Sequence, residues 1–381
     1  MNTRRGNGEG SIYKRKDGRW VGVINVGYEG GKRRRKSFYG DTRRQVADRL
    51  AAALRDTKLG LALTEDQITV GQFLDTWLVE VAKPKLRPLT YRSYESIVGE
   101  HLKPVFGRTR LAKLRPTAIQ RYLNAVGDDG LNPHTVRNIR AVLRTALALA
   151  HRWGLIGQNP ASLVELPRMP STEIAPLTRT EARQMVSALK GDRLEALYTL
   201  TLTLGLRQGE ALGLRWSDVD SEASTITVEA TLQRYGRSYH LNEPKSRRSR
   251  RRLPLPPSLV NRLLRHRTLQ LEDRLRAGSA WSTNQWDLVF LTERGRPLSG
   301  PTVTRRLQRL LVQAGLPKKR FHDLRHSAAS FMLAEGVPMR VITEILGHSD
   351  ASLTANVYAH VAPELQREAT DRVGRLLLEV S

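Results

Sequence analysis

Three different rhythms of apolar and polar positions run along this chain. In the first 60 residues, SIYKRKDGRWVGVINVGYEGGKRRRKSFYGD alternates, with Trp20, Val23 and Tyr28 in the alternating stretch. Alternation predicts half-buried strands, three short ones here, joined by turns at Asp17-Gly18 and Glu29-Gly30-Gly31. A helix is expected from Thr42, its N-cap, to about Leu59. Leu59 to Gln67 reads as a linker, and from residue 68 to about 166 the period becomes helical throughout. Thr69 and Gln72 form a capping box. Asn132 is a good N-cap, and Pro116 and Pro133 suit first helical positions. Over Pro133 to about Trp153 the apolar stripe is Val136, Ile139, Leu143, Leu147 and Ala150, with Arg137, Arg140 and Arg144 beside it. Asn159-Pro160 and the stretch from Pro167 to Pro176 mark another boundary. Thr178 and Glu181 then open a third segment. It is mostly helical, with strands expected at Ser224–Val228 and Arg251–Leu255 and a basic hairpin between them. The pattern divides the chain into 1–60, 66–166 and 176–381. It predicts a multidomain, mainly α protein with small β elements: a three-stranded sheet plus helix, an all-helical domain and a mixed α+β domain.

Charge changes this picture most. The 381 residues carry a formal net charge of +26, and the isoelectric point is near 11.0. An apolar fraction of 40% suffices for ordinary cores. The cationic excess therefore points to a polyanionic partner, nucleic acid first and an anionic membrane second. No stretch is long and apolar enough for a membrane span, and the opening MNTRRGNGEG lacks the core of a signal peptide. A soluble, cytoplasmic, nucleoid-associated protein is expected. The absence of cysteine excludes disulfides, cysteine-based zinc fingers and thiol catalysis. Residues 1–60 hold 16 Lys/Arg against 6 Asp/Glu. A sheet of that composition suits a major groove, with Arg19, Arg33, Arg34, Arg35 and Lys36 as contacts; a disordered basic tail is the plainer reading. Arg137, Arg140 and Arg144 suit a helix lying along DNA, or simply a solvated face.

Candidate chemistry clusters late in the chain. Breaking a phosphodiester calls for preorganised cations on the phosphoryl oxygens. Arg207 follows the apolar run LYTLTLTLGL, and Glu210 stands three residues on. An Arg-x-x-Glu pair is also a common structural salt bridge. His322 and Arg325 share a helical face at i, i+3. The leaving 5′ oxygen needs a proton, which arginine does not release usefully. Lys245 is the one lysine between residues 191 and 317, set among arginines, and is the candidate acid; a surface lysine touching phosphate is the alternative. A tyrosine can serve as nucleophile when deprotonated, with His322 as base or shuttle and His348 as donor to the phosphate. Ten tyrosines are present, and spacing alone does not choose among them.

The ordered set GLRQGE, PKS, HDLRH, LGHS and NVYAHV resembles the catalytic domain of the tyrosine recombinase (phage integrase) family, over roughly residues 176–381. The resemblance implies that Arg207, Lys245, His322, Arg325 and His348 surround the scissile phosphate and that Tyr358 is the nucleophile, with no cofactor and no metal. The middle segment is similar to the family's core-binding domain. Residues 1–60 resemble the arm-binding module of integrases from phages and conjugative elements. The resemblance also implies a 3′-phosphotyrosine intermediate, integration and excision of a mobile element, and a homotetramer on double-stranded DNA at core and arm attachment sites. An excisionase and a host DNA-bending protein are candidate partners. The tail from Ala362 to Ser381 would dock on a neighbouring protomer or on its own domain. Competing readings are a Xer-like chromosome resolvase, a type IB topoisomerase and a non-catalytic DNA-binding regulator.

Overall fold

The computed structural model describes residues 10–29, 32–58, 68–167, 176–236, 238–244, 249–282 and 285–347. Lys245, His348, Tyr358 and the tail from Ala362 onward lie outside the described residues. The chain divides into two compact units, Met1–Ser171 and Thr172–Ser381.

In the first unit, β1 (Ser11–Lys14), β2 (Trp20–Glu29) and β3 (Lys32–Gly40) form an antiparallel sheet in the order β1-β2-β3. The second and third strands are longer than the short ones expected, because their register runs from Trp20–Gly40 out to Glu29–Lys32 with one irregularity at Asn25/Gly27. Helix α1 (Arg43–Lys58) covers one face. A Cβ on Gly22 or Gly40 would meet Val46 of that helix, so the missing side chains let sheet and helix close up. Val21, Ile24, Val46, Leu50 and Ala53 are the buried apolar residues of this module.

The helical part follows as α2 (Val70–Thr76), α3 (Lys83–Lys85), α4 (Pro88–Ile97), α5 (Lys103–Phe106), α6 (Pro116–Asp128) and α7 (Pro133–Arg152). Short π-helical stretches, Trp77–Ala82 and Val98–Leu102, join α2 to α3 and α4 to α5. The Thr69–Gln72 capping box is present, and Asn132 accepts from the His134 N–H. The expected stripe of α7 is buried, and Val142, Ala146 and Leu149 widen it.

The second unit begins with α8 (Arg179–Ala188), opened by the Thr178–Glu181 capping box, and then α9 (Glu195–Leu204). Nearly every side chain of α9 is buried, so this short helix is central rather than amphipathic. After α10 (Gln208–Leu212) come β4 (Val219–Asp220), β5 (Thr225–Val228), the hairpin β6 (Thr231–Tyr235) and β7 (Ser238–Asn242), and β8 (Arg251–Pro254). Strand β5 pairs antiparallel with both β4 and β8. Helices α11 (Pro257–Ala277), α12 (Gly300–Gln313), α13 (Phe321–Ala334) and α14 (Met339–Leu346) follow among the described residues. The core joins Leu197, Tyr198 and Leu200 of α9 to Leu253, Phe290, Leu307, Phe321 and Leu324. Tyr198 also donates to the Val303 carbonyl at 2.9 Å.

Candidate active site

Arg207 is positioned by a sharp reversal between two helices. Helix α9 ends on Gly205 in the left-handed conformation, with φ 65°. A side chain there would be strained, and its Cβ would overlap the Leu346 side chain. Arg207 then takes the N-cap position of α10 in extended backbone. Its N–H donates to Glu210 Oε2 at 3.0 Å and its Nη1 to Glu210 Oε1 at 2.7 Å. The salt bridge expected as the plainer reading is therefore real, and it orients a guanidinium that is still about one-third exposed, at 36%. The same Arg-x-x-acid device opens the 3-10 turn at Trp216 and helix α13, through Arg215–Asp218 and Arg320–Asp323.

Arg325 comes from α13 and is buried, at 2% exposure. Its Nη1 donates to the Gly205 carbonyl and its Nη2 to the Leu346 carbonyl, the latter at 2.8 Å. Arg207 Nη2 reaches the next carbonyl, Gly347, at 2.9 Å. A helix C-terminus leaves carbonyls without intrahelical donors and carries partial negative charge. The end of α14 thus gathers two guanidiniums onto adjacent carbonyls, one residue before His348. Burial, followed by the charge of Arg207, pushes the Arg325 guanidinium down to about 9, which leaves it cationic at neutral pH.

A third arginine completes this arrangement. Arg251 on β8 donates through Nε to the Ile345 carbonyl at 2.6 Å and through Nη2 to Glu210 Oε2 at 2.9 Å. Glu210 is buried at 3% exposure. Burial opposes its charge, but Arg251 and then Arg207 hold its carboxyl below the usual range.

His322 sits in the first turn of α13, exposed, with its ring edge-on to His326 at 4.8 Å. Desolvation, then the nearby His326 and Arg325, push its imidazole down to about 4, against the opposing pull of Asp323. It is therefore a neutral ring at physiological pH, able to accept a proton. His326, the last letter of HDLRH, is itself lowered chiefly by desolvation.

Arg207, His322 and Arg325 are thus brought to one end of α13 and α14. Arg251 is a residue that sequence reasoning misses. It lies inside the arginine run 247–252, and only the period of a strand separates its members. Arg251 and Leu253 turn inward, whereas Arg252 is exposed and reaches Asp220. Among the described residues, no group of three or more His, Cys, Asp or Glu is placed to hold a metal ion, and no helix is long and apolar enough to cross a membrane.

The expected DNA contacts divide. Arg19 is exposed in the turn before β2, and Arg35 is exposed opposite Asn25, on the sheet face away from α1. Lys36 points the other way, opposite buried Ile24, with its ammonium 6.0 Å from the Phe38 ring. Neighbours on a strand face opposite sides, so the two side chains leave different faces of the sheet. Arg33 and Arg34 lie in β3 opposite Tyr28 and Gly27. On α7, Arg137 and Arg144 are exposed. Arg140 turns to the Ala161 and Ser162 carbonyls at 3.0 and 3.4 Å, so two of its donors hold the 3-10 turn Pro160–Ser162.

The sequence and the fold have known counterparts. A model described as the phage integrase family matches residues 176–364, and one described as the phage integrase N-terminal SAM-like domain matches residues 69–126. A tyrosine recombinase XerC-like protein of Caldanaerobacter subterraneus subsp. tengcongensis is 32% identical over 368 residues, covering 92% of this chain and 94% of that protein. The ICEBs1 integrase of Bacillus subtilis is 23% identical over 371 residues, covering 96% of this chain and all of the relative, at 100%. Among solved structures, the Tn1549 transposon integrase in complex with a circular intermediate DNA aligns with a TM-score of 0.69 at 21% identity, over 80% of this chain and 99% of that one. A lambda integrase dimer bound to a COC' core site aligns at 0.59 and 17% identity, over 93% and 96%. The chain belongs to the phage integrase family. It is a tyrosine recombinase, an enzyme of site-specific DNA recombination.

Proposed function

We propose that the chain integrates and excises a mobile element by cutting and rejoining duplex DNA at paired attachment cores. The observation that carries this reading is the convergence of Arg207 and Arg325 on the adjacent carbonyls Gly347 and Leu346. Two fixed guanidiniums at one point suit the non-bridging oxygens of a single phosphate. In this reading the Tyr358 oxygen attacks the scissile phosphorus, its proton passing to the neutral His322. The bond from phosphorus to the 5′ oxygen breaks, and Lys245 supplies the proton to that leaving hydroxyl. His348 donates to a phosphoryl oxygen. The 3′-phosphotyrosine conserves the ester bond, so attack by a 5′-hydroxyl of the partner duplex reseals the strand and releases Tyr358. Two such rounds pass through a Holliday junction, in a tetramer of this chain.

Residues 1–60 act as the arm-binding module, 66–166 as the core-binding domain and 176–381 as the catalytic domain. The XerC-like relative spans 92% of this chain, so a module ahead of the helical segment does not by itself separate an integrase from a resolvase. The mobile-element reading is supported instead by the likeness to a transposon integrase and to the ICEBs1 integrase. An excisionase and a host DNA-bending protein are proposed partners.

A nicked duplex carrying the attachment core traps the covalent intermediate, because the cut fragment diffuses away before religation. The wild-type chain is expected to form a DNA adduct on it, and Tyr358→Phe none. An adduct of undiminished yield in Tyr358→Phe would remove Tyr358 from the role.

A further inference from the structure

Three successive carbonyls at the end of α14 each accept one guanidinium: Ile345 from Arg251, Leu346 from Arg325 and Gly347 from Arg207. Arg251 alone of the three also grips the carboxylate that orients another of them, through Glu210. It is 7% exposed, and its Nη1 donates to the Ser249 carbonyl at 3.0 Å, so its fork is engaged by protein on every side. It lies six residues after Lys245. One side chain therefore ties the strand leaving the Lys245 segment to the Arg207–Glu210 pair and to the helix end that precedes His348.

We infer that Arg251 is a positioning residue for strand cleavage: through Glu210 and the Ile345 carbonyl it sets the aim of Arg207 and the helix end that Arg325 also holds, without touching the phosphate. This inference rests on the proposed reading of Arg207 and Arg325 as phosphate ligands. The chemistry favours arginine over any other residue here. A planar fork can serve a carboxylate and a carbonyl in two directions at once, whereas a lysine ammonium is a single point that cannot span both. The close fit of Gly347 supports the same view, since a Cβ there would stand 2.9 Å from Arg251 Nη1.

The test uses the full-length protein and the nicked attachment-core duplex, comparing wild type, Arg251→Lys, Arg251→Met, Glu210→Gln and the double variant Arg251→Met/Glu210→Gln. Single-turnover cleavage by Arg251→Lys is expected to slow on the order of 10–100-fold, as displaced catalytic groups do. Its affinity for the same duplex should stay within about twofold and its melting temperature within a few degrees. The two single losses should combine to less than their product, because they break the same link. Wild-type cleavage by Arg251→Lys, a parallel fall in cleavage and affinity, or unfolding of Arg251→Lys would each overturn the proposal. Arg207→Ala separates the two levels. If it still cleaves at the wild-type rate, the underlying reading of the site fails. If it is inactive while Arg251→Lys cleaves at the wild-type rate, only the role given to Arg251 fails.

Discussion

The Arg325 side chain donates to the backbone carbonyl of Leu346 at 2.8 Å from a position only 2% exposed. A guanidinium expected to grip phosphate is thereby also a structural tie between α13 and the end of α14. Arg325→Ala should therefore cost both cleavage and stability. Two buried carbonyls, Gly205 and Leu346, would lose their donor at roughly 1–3 kcal/mol each. Chemical denaturation should register a loss of about 2–6 kcal/mol, and cleavage of the nicked duplex should fall below detection.

Gly205 allows the tight passage from α9 to Arg207. Gly205→Ala places a side chain in a left-handed conformation and against Leu346. The strain alone costs roughly 1–3 kcal/mol, and the overlap adds to it. A melting temperature equal to that of wild type would contradict the packing described for this corner.

The lowered imidazole of His322 makes a prediction about pH. An ordinary histidine near 6.5 would lose its ability to accept a proton as the pH falls below neutrality. With His322 pushed down to about 4, its neutral form persists through that range. In the DNA-free chain an NMR titration of the ring should therefore find its midpoint near pH 4, and a midpoint near 6.5 would contradict the desolvated setting described for it. The stability consequence has a definite sign. Because the folded value lies below the unfolded one, the unfolded chain binds more protons between about pH 4 and 6.5. The site's contribution is intact above about 6.5 and declines as the pH drops through that window. His322→Gln should flatten this slope in denaturation curves.

Lys245 is proposed as the acid for the leaving group. Lys245→Ala should slow cleavage on the order of 100-fold or more. The defect should largely vanish on a substrate whose 5′ leaving atom is sulfur, since a thiolate departs without a proton. Equal impairment on both substrates would leave Lys245 as a phosphate-binding group only.

Removing residues 1–60 takes away 16 basic and 6 acidic side chains. Core cleavage is expected to survive, while affinity for distal arm sites drops. The salt dependence of binding to an arm-plus-core duplex should flatten by about 0.9 for each phosphate that the module had neutralised. Loss of core cleavage in the truncated chain would show that the module serves the core instead.

The local elements were legible because they obey local rules. Thr69, Asn132 and Thr178 cap helices by bonds within three residues, and the α7 stripe recurs at helical spacing. Each needs no distant partner to be inferred. The roles of Arg207, His322 and Arg325 were legible through resemblance, since spacing gave only the local Arg207–Glu210 pair and the shared face of His322 and Arg325. Tertiary structure decided the rest. The Ile345 carbonyl and the Glu210 carboxylate select Arg251 from a run of arginines that look alike in sequence, and in the other unit packing brings Arg140 to the Ala161 and Ser162 carbonyls. Burial and hydrogen-bond geometry depend on pairings between residues far apart in sequence, such as Arg207 with Gly347, 140 positions on. Composition and periodicity hold no record of those pairings, so which positive charges face a phosphate and which hold the fold was settled only when the chain closed on itself.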